Sequence, residues 1–412
     1  MKDSGAVLIV AAMDTKGRET AYIMECLREV DMPFVLIDAG IMGESSFPAT
    51  IGREEVAQAG GMTLEGVRGL GSEGESLAVM IKGATAHALK LYQQGKIRGI
   101  IGLGGSMGST LGTGVMRAFP IGFPKVMIST MASRDTRPFV GTKDILMLHS
   151  VCDLSGINSI TEKVLRNGAL AVAGMVRDSI TFPAPSKPRV LISTLGTTER
   201  CMQTMKKALE DEGREVIVFH TVGSGGEAME ELIHEGDVET VIDLSLHELV
   251  DHFFGGDYDA GPKRGLAALQ KGVPTILVPG NIDFLVAGPL ATAKERFPGR
   301  TYHVHNAAIT TIRTKKREVE FIAERVARYC REAKGPVSVA VPLKGFSVWD
   351  VKGGIFYDHA AVDIFVGVTK RELPQGVGLH LLPFHINDAE FAKALVKIRG
   401  AMERPGSNRE RQ

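Results

Sequence analysis

One arrangement recurs along this chain and restricts its fold more than any other feature. An apolar run ends on a glycine or hydroxyl turn, and an amphipathic helix follows at once. Ala6 to Ala12 is apolar without a break, as a strand covered on both faces should be. Asp14 comes next and is placed to cap a helix in which Ile23, Met24, Leu27 and Val30 share one face. Pro33 ends that helix region, and Phe34 to Asp38 reads as a second buried strand. Two parallel strands joined by a helix make the right-handed crossover unit of α/β folds.

The pattern continues with a helix over 75–94, a strand over 97–103, a helix from Ser106 to about Arg117 and a strand over 124–129. A helix over about 157–176 closes the first half. Phe182 to Pro188 holds three prolines, which neither helix nor ladder tolerates, so 182–188 reads as a linker. Strand and helix then alternate afresh: strands over 189–195, 216–220, 240–244, 275–278, 337–341 and 377–382, with helices over 198–212, 227–235, 263–271, 319–330 and 388–399. The expected architecture is α/β: two doubly wound lobes, 1–181 and 189–404, with mostly parallel sheets and a cleft between the lobes. The polar tail 405–412 reads as disordered.

Composition narrows the function classes. Forty-eight Lys plus Arg balance 48 Asp plus Glu, so bulk charge draws the chain to neither nucleic acid nor membrane. Four cysteines without a CxxC pair fit a reducing cytoplasm better than a disulfide framework or a structural zinc site. The N-terminal apolar run is too short for a signal peptide, and no run is long enough to span a membrane.

Ligands of open parallel sheets sit beyond the carboxyl ends of the strands. Gly104-Gly105-Ser106-Met107-Gly108-Ser109 lies there and opens a helix, so backbone N–H groups, the helix dipole and hydroxyls can meet an anion. It is neither a Walker loop nor a clean GxGxxG. Ser129, Thr130, Ala132 and Ser133 follow the next strand, and Asp14, Thr15 and Lys16 follow the first. Lys16 can meet phosphate, and Asp14 either caps its helix or holds Mg²⁺ through water. Gly196, Thr197 and Thr198, and Gly225 with Gly226, repeat the form in the second lobe as candidates for a second anion or carboxylate, alongside ordinary turn chemistry. His303 and His305 face one way if extended, as a metal pair would, or simply bridge by hydrogen bonds. Asp243, His247, Asp251 and His252 form another dense stretch, and His385 opens the last helix. Cys201 reads as packed within its helix.

Several of these segments carry a resemblance. Ala12-Met-Asp-Thr-Lys16, Ile101-Gly-Leu-Gly-Gly-Ser106, Asp153 with Gly156-Ile-Asn158, Phe219-His-Thr-Val-Gly223 and Gly225-Gly-Glu-Ala-Met-Glu230 come in order. His303-Val-His-Asn306, Lys344-Gly-Phe-Ser347 and Pro383 to Phe391 follow. Together they make the chain resemble, over nearly its whole length, the N-terminal ATP-binding domain family of the tomato mosaic virus resistance protein. The resemblance implies two Rossmann-like lobes, ATP near the Gly-Gly-Ser loop and a homodimer. The plant relative carries a further C-terminal barrel, so a barrel-type partner protein is expected here. Where that family has Gly-Gly-Ser-Gly-Gly-Thr, this chain has Met107 and Ser109.

Three functions follow from these readings. One is an ATP- and Mg²⁺-dependent enzyme acting on a small organic acid or alcohol between the lobes. Asp14, Lys16 and His385 are then its candidate catalytic residues, and Asp283 is a second-lobe ligand. Another is a nucleotide-sensing module that acts through a partner without turnover. The third is a metal-dependent lyase or hydrolase using His303, His305 and His385.

Overall fold

Because continuous apolar strands need cover on both faces, the strands gather into parallel sheets with helices above and below. The computed structural model describes residues 5–45, 47–177 and 186–402. Most of the expected linker and all of the tail lie outside the described residues. The chain divides into two compact units, 1–182 and 183–412.

In unit 1, strands β1 (Ala6–Ala11), β2 (Phe34–Asp38), β3 (Ile97–Gly104), β4 (Lys125–Ser129) and β5 (Leu146–His149) form one parallel sheet in the order β2-β1-β3-β4-β5. Alternation along β1 distributes its side chains. Val7, Ile9 and Ala11 pack with Ile23 and Leu27 of helix Met13–Glu29 and with Leu165 and Val172 of helix Thr161–Arg177. Leu8 and Val10 pack on the other face, with Met80 of helix Glu73–Gln93 and Leu111 of helix Ser106–Met116. Helices Arg53–Gly60 and Leu64–Arg68 and strand β5 are additions to the sequence reading. Each is too short for its periodicity to show, five to eight residues in the helices and four in the strand.

Unit 2 holds β6 (Arg189–Thr194), β7 (Glu215–His220), β8 (Val238–Ser245), β9 (Thr275–Gly280), β10 (Phe284–Ala287), β11 (Tyr302–Asn306), β12 (Ile309–Arg313), β13 (Val337–Pro342) and β14 (Gly378–Leu382). Six of them form a parallel sheet in the order β14-β13-β9-β8-β6-β7. Helices Glu199–Asp211 and Ala389–Met402 cover one face, and Ser224–Glu235 and Lys316–Cys330 lie on the other. The remaining three strands make a small antiparallel sheet, β10-β12-β11, which the parallel pattern did not predict. The helix expected over 263–271 narrows to Ala267–Lys271, since Gly261 and Gly265 both take positive φ. Helices His247–Phe254 and His359–Glu372 are further additions to the expected pattern. Both units are thus α/β lobes with mostly parallel sheets. No helix among the described residues is long and apolar enough to cross a membrane.

One side chain ties unit 2 together. Arg264 is fully buried and donates from Nε to Glu248 at 2.6 Å and from its two Nη groups to Asp243 at 2.7 and 2.8 Å. Glu230, 3.5 Å away, accepts from the Gly265 and Ala267 N–H groups. Removing the guanidinium strands three carboxylates. Trp349 is the only tryptophan of the chain and lies in unit 2, so its fluorescence reports that unit. Arg264→Met is expected to lower the unit 2 unfolding free energy by about 3–5 kcal/mol in urea titration. A loss under about 1 kcal/mol would show the cluster to be dispensable.

Candidate functional site

The order β2-β1-β3 places a topological switch at the β1/β3 pair. The chain leaves β1 for a helix on one face and leaves β3 for a helix on the other, opening a crevice at their carboxyl ends. A cleft of about 690 Å³ lies there. Asp14, Thr15 and Lys16 line it from β1, and Gly104, Gly105, Ser106 and Gly108 line it from β3. Two further walls carry no turn signal of the kind sought after strands: Ala39, Ile41 and Met42 after β2, and Arg68 with Leu70, Gly71, Ser72 and Glu73 at the start of helix Glu73–Gln93. Ser72 does bear a signal, the Ser-x-x-Glu spacing of a helix start, and its Oγ accepts from Glu75 N at 3.2 Å. Arg68 has none, because only the packing of helix Leu64–Arg68 brings it to the cleft.

The glycines of the turn do different things. Gly104 has φ +153°, and a Cβ there would lie 2.7 Å from the Gly108 Cα. A Cβ on Gly108 would lie 2.8 Å from the Leu103 carbonyl. These two let strand and helix touch. Gly105 is the helix N-cap in extended backbone, with no side chain capping the first turn. A Cβ there would meet only Thr130 Oγ1, at 3.8 Å. The first-turn N–H groups of an 11-residue helix are thus left for the cleft.

Other expected ligands turn inward. Ser109 and Ser129 are fully buried and bond each other at 2.5 Å, and Ser129 Oγ also accepts from Met131 N. This corrects their reading as phosphate donors: each hydroxyl is committed to the packing of strand on helix. Thr130, Ala132 and Ser133 form the 3₁₀ turn after β4, with Thr130 beside Gly105. Asp14 does not cap its helix. Its Oδ2 accepts from the N–H groups of Ile41, Met42 and Gly43 at 3.0–3.2 Å and pins that turn against β1, while Oδ1 is buried with no partner. Lys16 Nζ donates to the Leu154 carbonyl at 2.6 Å. Asp38, at the end of β2, accepts from Met13 N, Gly40 N and Ser45 Oγ, so its oxygens are spent inside the chain.

The equivalent positions of unit 2 are filled by the chain itself. Glu248 Oε1 accepts from Gly223 N at 2.8 Å and Gly226 N at 3.0 Å, at the start of helix Ser224–Glu235. The anion expected at Gly225 and Gly226 is therefore this carboxylate. A Cβ on Gly226 would fall 2.0 Å from its Oε2. Thr197 Oγ1 donates to Asn281, and Asn281 Nδ2 donates to Ser245 at 2.9 Å and Thr198 at 3.4 Å. Thr197 and Thr198 are thus internal partners and not ligand donors, leaving Gly196 exposed beside them.

The histidines are likewise engaged. His385 Nδ1 accepts from Asn387 N at 3.2 Å, so its Nε2 carries the proton that goes to the Ser347 carbonyl at 2.9 Å. With both nitrogens occupied, His385 holds the turn into the last helix and is a poor acid or base. His303 and His305 pack on the Trp349 ring, and among the described residues no group of three His, Cys, Asp or Glu could hold a metal. The stretch from Asp243 to His252 is not one site. Asp243 binds Arg264, His247 lies within helix His247–Phe254 against Asp251, and His252 bonds Asp259. Cys201 is fully buried, and burial pushes its thiol up.

Asp283 is fully buried. Ser347 Oγ donates to its Oδ2 at 2.6 Å, and Oδ1 has no partner. Burial, with Asp350 adding to it, pushes this carboxyl up to about 7.

Comparison with known proteins extends over both units. A family model described as "Uncharacterised protein family (UPF0261) N-terminal domain" matches residues 5–181, and its C-terminal counterpart matches 187–402. A UPF0261 protein of Clostridium tetani is 38% identical over 392 residues, covering 95% of this chain and 97% of that one. A UPF0261 protein of Mesorhizobium japonicum is 33% identical, covering 94% and 97%. The ToMV resistance protein Tm-1(GCR237) of Solanum lycopersicum is 36% identical over 357 residues, which are 84% of this chain but 46% of the tomato protein. A solved UDP-GlcNAc 2-epimerase of Methanocaldococcus jannaschii aligns over 96% of this chain and 99% of its own at 10% identity, with a TM-score of 0.22.

The raised Asp283 carboxyl has a consequence for stability. Unfolded, it releases its proton near pH 4; folded, it keeps the proton to about 7. The folded state binds the extra proton between these values, so this group's contribution falls as pH rises through the window. Asp283→Asn is expected to flatten that part of the pH dependence and to leave the protein no less stable at pH 8, read by urea unfolding through Trp349. An unchanged slope would show Asp283 to be ionised throughout.

Proposed function

The chain belongs to the UPF0261 family across both its units, and we propose that its nucleotide-binding part is the cleft of unit 1. The ligand is a nucleoside phosphate, with ATP and Mg²⁺ as the working pair. The observation that carries this reading is the uncapped start of helix Ser106–Met116 opening into a cleft at the β1/β3 switch point. A volume of about 690 Å³ lies within the range of small-ligand sites. Ile41, Met42, Leu70 and Leu77 give the cleft apolar lining suited to a base.

The residues fit a nucleotide better than a dinucleotide. Asp38 stands where a dinucleotide site would use an acid on the ribose, but its oxygens are already bonded to Met13, Gly40 and Ser45. Mg²⁺ would arrive on the phosphates, and Asp14 and Glu73 are the cleft carboxylates able to hold its waters. Bound ATP would supply a phosphate chain, one group of which the N–H groups after Gly105 would meet.

Binding without turnover is the form the geometry favours. Asp14 holds a loop, Lys16 holds the Leu154 carbonyl and His385 spends both nitrogens. An enzyme acting on a small organic metabolite stands as the second reading, with Lys16 as the residue able to exchange its carbonyl for a phosphate.

Gly105→Val tests the site directly. Its backbone is extended and its Cβ has room, so the variant is expected to fold while its side chain stands at the helix start. Calorimetric titration with ATP-Mg²⁺ is expected to show wild-type binding and at least about 30-fold weaker binding by the variant, roughly 2 kcal/mol. Equal binding by both would move the nucleotide elsewhere.

A further inference from the structure

We infer that Arg68 is the residue by which this cleft selects a ligand with more than one phosphate. The inference rests on the nucleotide reading above and concerns the same cleft.

Two cations line the cleft, Lys16 and Arg68. Lys16 points its ammonium at the Leu154 carbonyl, 2.6 Å away. Arg68 ends helix Leu64–Arg68 and donates from Nε to the Ile41 carbonyl at 2.6 Å. Among the described residues no acceptor takes its two Nη groups. One edge of the guanidinium is therefore fixed to the protein, and the other is left for a ligand. This is the arrangement in which an arginine reads a phosphate with little loss of freedom on binding.

The uncapped helix start at Gly105 and the Arg68 fork come from separate parts of the chain, and both border the same space. The helix start has donors for one anionic group. A nucleoside monophosphate is satisfied there, whereas a di- or triphosphate brings further charge, and Arg68 is the cation free to take it. The rest of the lining sharpens this. Without Arg68 the charged residues of the cleft are Asp14, Glu73 and Lys16, a net negative set that opposes added phosphate charge.

Arg68 also touches the wall on which a base would rest. The Ile41 carbonyl is held by Arg68 and the Ile41 N–H by Asp14. A purely structural role for Arg68 would act through that wall and weaken every nucleoside alike. Reading of the phosphates would act only on ligands that carry them beyond the first.

The test is calorimetric titration of the full chain with adenosine, AMP, ADP and ATP, each with Mg²⁺, for wild type, Arg68→Ala and Arg68→Lys. Wild type is expected to prefer ADP and ATP over AMP by about tenfold or more. Arg68→Ala should lose that preference, leaving AMP and adenosine within about threefold of wild type, and Arg68→Lys should restore it in part. Equal losses for all four ligands would make Arg68 a support of the Ile41 wall and overturn the inference, as would four unchanged affinities. Wild type binding none of the four would overturn the nucleotide reading itself.

Discussion

The ion pair between Arg264 and Glu248 governs what unit 2 can be. Glu248 sits where the glycine turn after β7 opens helix Ser224–Glu235, accepting two N–H groups that the helix cannot satisfy. A fully buried carboxylate in that place needs a counter-charge, and Arg264 provides it while also binding Asp243 on β8. Turn, helix start and sheet are thereby fastened at one point. Around it Thr197, Asn281, Ser245 and Thr221 bond one another, so the carboxyl ends of β6, β8 and β9 close on themselves.

Unit 1 meets the same requirement and answers it differently. Its donors at the ends of β1 and β2 are also satisfied by carboxylates of the chain: Asp38 takes Met13 and Gly40, and Asp14 takes the turn at Ile41 to Gly43. The start of the helix after β3 is the exception. No side chain caps Gly105, and the space beyond it is a cleft. Since orphan N–H groups at a helix start need water, a side chain or a ligand, the difference between Gly105 and Gly223 separates an open helix start from a self-filled one.

Much of this was legible beforehand. Runs such as Ala6–Ala11 and Ile97–Gly104 announce buried parallel strands, and glycines with hydroxyls after them announce tight strand-to-helix turns. The Gly104 to Gly108 turn was found this way. The role of each hydroxyl was not. Ser106 and Ser109 look alike in the sequence, yet one lines the cleft and the other is buried against Ser129. They stand nearly one helical turn apart on much the same face, and only the packing of β4 against the second of them decides which stays wet.

Local periodicity and turn chemistry thus determined, from the sequence alone, two α/β lobes with mostly parallel sheets and a glycine turn at the end of β3. These properties depend on residues close together in the chain. Tertiary structure decided which turn stays open. Glu248 lies 25 residues from Gly223, Asp14 lies 27 from Ile41, and Lys16 lies 138 from Leu154. Whether a carboxylate or ammonium is spent inside the protein or left for a ligand is settled by partners at such separations, which no local pattern encodes.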